Sequence, residues 1–299
     1  MAHAPRRAAS TLVSTLALSL LIPLAPAQNF AEMKIDKLAA GLQFTEGPVW
    51  SKDGFLLFSD CVTNKIHKYV PGTGLSDYAE IAGGPNGNTY DAQGRLYTCE
   101  FRTRRVTRTS KKGAIEVLAS KFEGKRLNAP NDIVVRRDGH IYFTDPAFGD
   151  QQDHRELDLF GVYHITPKGE LEAIAKWKTR PNGITFSPNG KVLYVADSDA
   201  RVVRAFDVDK SGAASNERIA IKDIPGVPDG IRTDEKGNIY VAAKFVSVYS
   251  EDGKEIGHIE LGETPSNVAF GDADLESLFI TARTFVYRVR LGVKGALQY

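Results

Sequence analysis

One phrase, repeated six times, limits what this chain can fold into. Each copy has a small or polar lead-in, a short apolar run, a turn and a second apolar run: EGPVWSKDGFLLFSD, NGNTYDAQGRLYTCE, NDIVVRRDGHIYFTD, NGITFSPNGKVLYVAD, DGIRTDEKGNIYVAA and the more degenerate SNVAFGDADLESLFITA. The turns fall at Gly54, Gly94, Gly139, Gly190 and Gly237, with Asp274 in the sixth copy, at intervals of 37 to 51 residues. That is the period at which one repeat makes one four-stranded propeller blade.

Every copy continues with a third apolar segment (KIHKYV, RVTRTS, GVYHIT, RVVRAFDV, FVSVYS, FVYRVRL), and the first five add a more polar fourth. Alternating strand-length runs separated by Gly, Asn, Asp and Pro predict an antiparallel meander in each unit. The sixth copy ends before its fourth strand, and residues 30–40, FAEMKIDKLAA, precede the first copy and can supply it. The expectation is an all-β, six-bladed β-propeller with four-stranded antiparallel blades, its ring closed by an N-terminal strand, as a single domain over residues 28–299.

The N-terminal stretch is different in kind. Arg6 and Arg7 precede an apolar run from Leu12 to Leu24, which ends in Ala25-Pro26-Ala27. This is the charge, apolar and small-residue order of a secretory signal peptide, with cleavage expected after Ala27. The run is shorter than the roughly 20 residues a membrane span needs. Export to the periplasm or medium follows, with no membrane attachment after cleavage. Cys61 and Cys99 are the only cysteines, which is no disulfide framework, although an oxidising compartment permits one bridge. A net charge of +1, with dispersed basic residues, offers no stripe for a phosphate backbone, so nucleic acid is not an expected partner. The surface shows no heptads, and a monomer is the default.

Counting back eight residues from each turn position gives Glu46, Asn86, Asn131, Asn182, Asp229 and Ser266. All six side chains carry oxygen. Equivalent positions of successive blades sit at equivalent places around a propeller axis, so these residues are expected to form one polar ring. Any one of them could be a turn former, but turn chemistry alone does not require the same offset in every copy. Two carboxylates and three amides suit a hard divalent cation, Ca²⁺ foremost, which takes six to eight oxygen ligands. Zinc would call for His or Cys, and neither occupies the slot.

A second register at the end of the second strand holds Asp60, Cys99, Asp145, Asp197, Ala243 and Ala282. Its aspartates could orient ligands or bind backbone amides at a strand end. His67, His140, His154, His164 and His258 show no metal spacing. The insertion at 146–160, which contains His154, is a candidate lid or specificity loop. No G-x-S-x-G nucleophile elbow is present.

Taken in order, FTEGPVW, RLNAPNDIVV, IYFTDPAFG, PNGITFSPNGKVLYVADS, PDGIRTDEKGNIYVA and NVAF make the chain resemble, over residues 35–292, the gluconolactonase and senescence marker protein (SMP-30, regucalcin) family of six-bladed propellers. The resemblance implies a divalent cation held by Glu46, Asn182 and Asp229, with Asn131 close to metal or substrate. It also implies hydrolysis of a small-molecule lactone, with Asp229 as general base and the metal as Lewis acid. Asn131, Asn86 and Arg126 are then the substrate-contact candidates. Regucalcin-like members carry an Arg two residues before the PND asparagine. This chain has Ala129 there, and Arg126 is the nearest basic residue. Two other functions share this fold: a non-catalytic, metal-stabilised binding propeller, and a phosphotriester or other ester hydrolase on the same site.

Overall fold

The computed structural model describes residues 30–297 together with Met1 and Ala4. The expected signal segment, residues 1–27, lies outside the described residues except for these two. No helix among the described residues is long and apolar enough to cross a membrane.

Six four-stranded antiparallel sheets follow one another along the chain. The first five blades are built in strict sequence order. Blade one, for example, runs Thr45–Ser51, Phe55–Asp60, Lys65–Val70 and Gly74–Glu80, from inside outward. Burial explains the sequence pattern: every residue of the innermost strand is buried, while the outermost strand is mostly exposed. The polar fourth segments are therefore the blade rims.

The sixth blade takes Asn267–Gly271, Ser277–Ala282 and Phe285–Arg290 from the C-terminal end and its outer strand, Ile35–Ala39, from the N-terminal end. Asp36 pairs with Arg288 in register and also as an ion pair at 3.0 Å. The expected ring closure is thus present, through a strand shorter than the 30–40 segment, because Phe30–Glu32 forms a single 3-10 turn. Phe30 is buried in the apolar cluster between the fifth and sixth blades and packs against Gly257.

The apolar core is divided into six clusters, one at each blade-to-blade interface. The interface that joins the last blade to the first holds Trp50 stacked on Phe279, with ring centres 5.2 Å apart. Aromatic stacking adds about 0.5–1.5 kcal/mol to the area it buries. The five turn glycines all have positive φ, between 68° and 92°, which a side chain would make costly. In the sixth copy Asp274 does not take that conformation, and Leu275 carries φ 61° instead.

Candidate active site

The slot residues reach the axis because the innermost strands are interrupted there. Blades one, two and four show a register shift at the slot, between Glu46 and Val49, Pro85 and Asn88, and Pro181 and Ile184. A bulge of this kind bends the strand and re-aims a side chain. In blades three and five, Asn131 and Asp229 precede the strand and are held by Asn131 N–H to Thr144 O at 2.9 Å and Asp229 N–H to Ala242 O at 2.8 Å.

Hydrogen bonds stitch these interruptions to one another around the whole ring. Ser59 Oγ donates to Asn86 O at 2.7 Å, Gly87 N–H to Asn131 O at 2.7 Å and Thr144 Oγ1 to Asn182 O at 2.7 Å. Gly183 N–H then donates to Asp229 O at 3.0 Å, Gly230 N–H to Ser266 O at 2.8 Å and Ser266 Oγ to Thr45 O at 2.6 Å. Each slot backbone is therefore fixed by its neighbouring blade.

Five of the six slot residues, Glu46, Asn86, Asn131, Asn182 and Asp229, line one cavity of about 320 Å³. Ser266 does not line it. Its hydroxyl is committed to Thr45 O and to Thr281 Oγ1, so it serves the ring rather than the cavity.

Two buried carboxylates, Glu46 and Asp229, share the cavity floor, and neither makes an ion pair among the described residues. Burial pushes the Glu46 carboxyl up to about 7, against the Gly47 N–H and Asn267 amide that bind its Oε2 at 2.9 and 3.1 Å. Burial, and then the charge of Glu46, push Asp229 well above the usual carboxylate range. The amides complete the pattern. Asn182 Nδ2 donates to Ser198 Oγ at 3.1 Å and the side chain also hydrogen-bonds Asp229, while Asn182 Oδ1 and Asn86 Oδ1 are buried and accept nothing. A buried carbonyl oxygen without a donor costs about 1–3 kcal/mol. Two such oxygens beside two crowded carboxylates fit a hard divalent cation. No cluster of three or more His, Cys, Asp or Glu side chains able to hold a metal occurs among the described residues, so a cation here would depend on amide oxygens.

The second-register aspartates bind backbone. Asp60 accepts the N–H groups of Gln43 and Phe44 at 3.0 and 3.1 Å, and Asp145 those of Asn128 and Ala129 at 2.7 and 2.8 Å. Asp197 takes the Thr179 hydroxyl, the Ala200 N–H and Arg204. Asp60 and Asp145 thus hold the lead-in to slots one and three. Cys61 and Cys99 are both free and buried, and Cys61 lines the cavity with its thiol donated to Pro85 O at 3.2 Å.

Arg126 lies outside the cavity, exposed, with its N–H on Glu156 and its guanidinium on Thr103 O. The cavity's basic residue is Arg102, and its apolar wall is Phe44, Phe101, Phe148 and Val62. None of these stood out in the sequence, because none shares a repeat register. The 146–160 insertion does reach the site, through Phe148 and Gln151, whereas His154 is exposed and does not line it.

A propeller that gathers carboxylates and amide oxygens at one concave end of its axis belongs to the class that builds a small-molecule or cation site from loops on a rigid ring. The family is shown by comparison: the SMP-30/Gluconolactonase/LRE-like region matches residues 44–284, and the chain belongs to that family. It is 31% identical to a gluconolactonase of Zymomonas mobilis, over 87% of this chain and 82% of that one. It is 28% identical to the pentonolactonase XacC of Haloferax volcanii, over 79% and 80%. Among solved structures, a gluconolactonase of Xanthomonas campestris superposes with a TM-score of 0.82 at 32% identity, covering 89% of this chain and 91% of that one.

Proposed function

We propose that the protein is a divalent-metal-dependent lactonase that opens a cyclic ester by hydrolysis. The observation that carries this reading is the pair of unpartnered buried amide oxygens, Asn86 Oδ1 and Asn182 Oδ1, in the same cavity as Glu46 and Asp229. The lactonase relatives supply the reaction class.

Glu46, Asn182 and Asp229, with Asn131 beside them, would hold the cation, and Ca²⁺ suits this all-oxygen donor set. When bound, the cation supplies Lewis acidity toward the ester carbonyl and charge to offset the developing oxyanion. Asp229 is the general base: it takes a proton from water as the water oxygen bonds to the lactone carbonyl carbon. The same proton then passes to the ring oxygen as its bond to that carbon breaks, leaving a hydroxy acid. Beside the cation an ionised Asp229 is ligand and base in turn. Asn131 and Asn86 orient the substrate, Asn86 Oδ1 would add an oxygen to the cation's donor set, and the phenylalanine wall packs against the apolar part of the lactone. We further infer export of the chain as a monomer after cleavage behind Ala27, which N-terminal sequencing of the secreted or periplasmic protein would check.

The test is hydrolysis of D-gluconolactone, an aliphatic lactone and a phosphotriester by the purified protein, first in EDTA and then with Ca²⁺, Mg²⁺, Mn²⁺ or Zn²⁺ restored. Metal-dependent lactone opening is expected. Turnover of the phosphotriester alone would transfer the site to another hydrolase class, and absence of all turnover beside a Ca²⁺-dependent rise in Tm would make it a binding site.

A further inference from the structure

The cavity mouth carries a collar of a different chemistry from its floor. Phe44, Phe101 and Phe148 line it, and each ring bears an arginine. The guanidinium of Arg102 lies 4.9 Å from the centre of Phe101, that of Arg180 4.6 Å from Phe148 and that of Arg283 5.9 Å from Phe44. The three stacks differ in charge balance. Arg180 is neutralised by a two-point contact to Asp199. Arg102 and Arg283 have no carboxylate partner among the described residues. Arg102 is tethered only through Nε, which donates to Asn64 Oδ1 at 3.1 Å, so both of its terminal nitrogens are left for a ligand.

These two unpaired charges belong to the site. Arg102 is itself a lining residue. Arg283 follows the strand Ser277–Ala282, and its backbone carbonyl accepts the N–H of Thr45, next to Glu46. Against the dominant push of burial, its charge draws the Asp229 carboxyl in the opposite direction. Stacking on a ring holds a guanidinium in one plane at little entropic cost, and a planar fork of donors is shaped for a carboxylate. A neutral polyhydroxylated ring would call instead for many donors and acceptors on the wall. Beyond Arg102 the wall offers three phenyl rings, a valine and the amide of Gln151, whose Oε1 is already committed to Phe148 N–H at 3.1 Å.

Resting on the lactonase reading, we infer that the substrate is a lactone bearing an anionic substituent, a ring carboxylate, which Arg102 and Arg283 read at the collar while the ester sits over the oxygen-lined floor. The two arginines are specificity residues: they bind the substituent and take no part in bond breaking.

The experiment compares kcat/KM of the metal-loaded protein for a five-membered lactone with a ring carboxylate and for the same lactone as its carboxamide. The carboxylate is expected to be preferred by about tenfold or more, as for hydrogen bonds to a charged group. The preference should lie in KM and shrink as ionic strength rises. Arg102→Gln combined with Arg283→Gln should bring the ratio close to one, and Arg102→Lys should restore part of it. Equal turnover of the two lactones by the unaltered protein, or a preference that survives both substitutions, overturns the inference and leaves the lactonase reading intact. Should neither lactone open, the lactonase reading fails, and calorimetry with the carbocyclic ketone bearing a carboxylate or a carboxamide decides the collar separately. Tighter binding of the carboxylate upholds the charge reading, and equal or absent binding overturns it.

Discussion

Gly183 donates its backbone N–H to Asp229 O at 3.0 Å, and a Cβ built on Gly183 would stand 2.3 Å from that same oxygen. The fourth blade therefore sets the position of the fifth blade's carboxylate by direct backbone contact, with no side chain between them. Gly87 stands to Asn131 in the same way, its own Cβ falling 2.5 Å from Asn131 O. A glycine follows the slot residue in blades one, two, four and five and admits this close approach of the next blade, whereas blades three and six carry Asp132 and Asn267 there.

Gly183→Ala should for that reason lower stability by about 1–3 kcal/mol, as overpacking does, which is a fall of roughly 2–6 °C in Tm for a chain of this size. Activity should drop further than stability, because the displaced group is Asp229. Gly262→Ala, whose Cβ would find only Tyr287 Oη at 3.9 Å, is the control. Unchanged melting and turnover in Gly183→Ala would show that this approach is not tight in solution.

Asp229→Asn should abolish lactone turnover by at least about a hundredfold, the lower range for losing a general base. It should also weaken the Ca²⁺-dependent rise in Tm. In EDTA the same variant should melt higher than the unaltered protein, since Asp229 is desolvated and faces Glu46. Full activity in Asp229→Asn would falsify the base assignment.

Asn86→Leu separates function from stability. Asn86 Oδ1 has no partner, so an apolar residue of similar shape should change stability in EDTA by less than about 1 kcal/mol. The Ca²⁺ affinity, read from the Tm shift against added metal, should fall. Loss of folding without any change in metal response would mean that the amide is structural.

The metal-free protein should lose stability as pH rises. Burial lifts Glu46 from 4.5 and Asp145 from 3.8, each to about 7. In both cases the folded state holds its proton above the pH at which the unfolded chain has released it. Between about pH 4 and 7 the native state binds more protons, and stability declines through that window. Ca²⁺ offsets the Glu46 part by favouring the ionised carboxylate. Melting curves at successive pH values should fall more steeply in EDTA than in Ca²⁺; parallel curves would place the cation elsewhere.

The blades and the floor of the site could be read from the sequence because both recur. The turn glycines mark the second strands, and a constant offset of eight residues leads from each to a slot residue, five of which share one cavity. Ser266 satisfied the same offset and was turned aside by its hydroxyl bonds to Thr45 and Thr281, which no count of spacing can foresee. The collar was hidden for the opposite reason. Phe44 stands two residues before its slot, where the other copies have Gly84, Ala129, Arg180, Val227 and Thr264. Phe101 and Phe148 follow second strands of different blades, the latter inside an insertion, so nothing repeated marks them. Arg126 was the nearest basic residue in sequence, but the bonds of Arg126 to Glu156 and Thr103 hold it outside the cavity.

The pairing of Ile35–Ala39 with Phe285–Arg290 also sets an order of events. The ribosome makes the closing strand before any blade and its partner after all the others. Until that partner emerges, Ile35–Ala39 has no strand to pair with, and the sixth blade lacks the strand that joins Ile35–Ala39 to Ser277–Ala282. The first five blades can form early, yet the sixth blade and the ring it closes wait for the final strand, so a ribosome that stalls short of residue 285 releases blades without a closed ring.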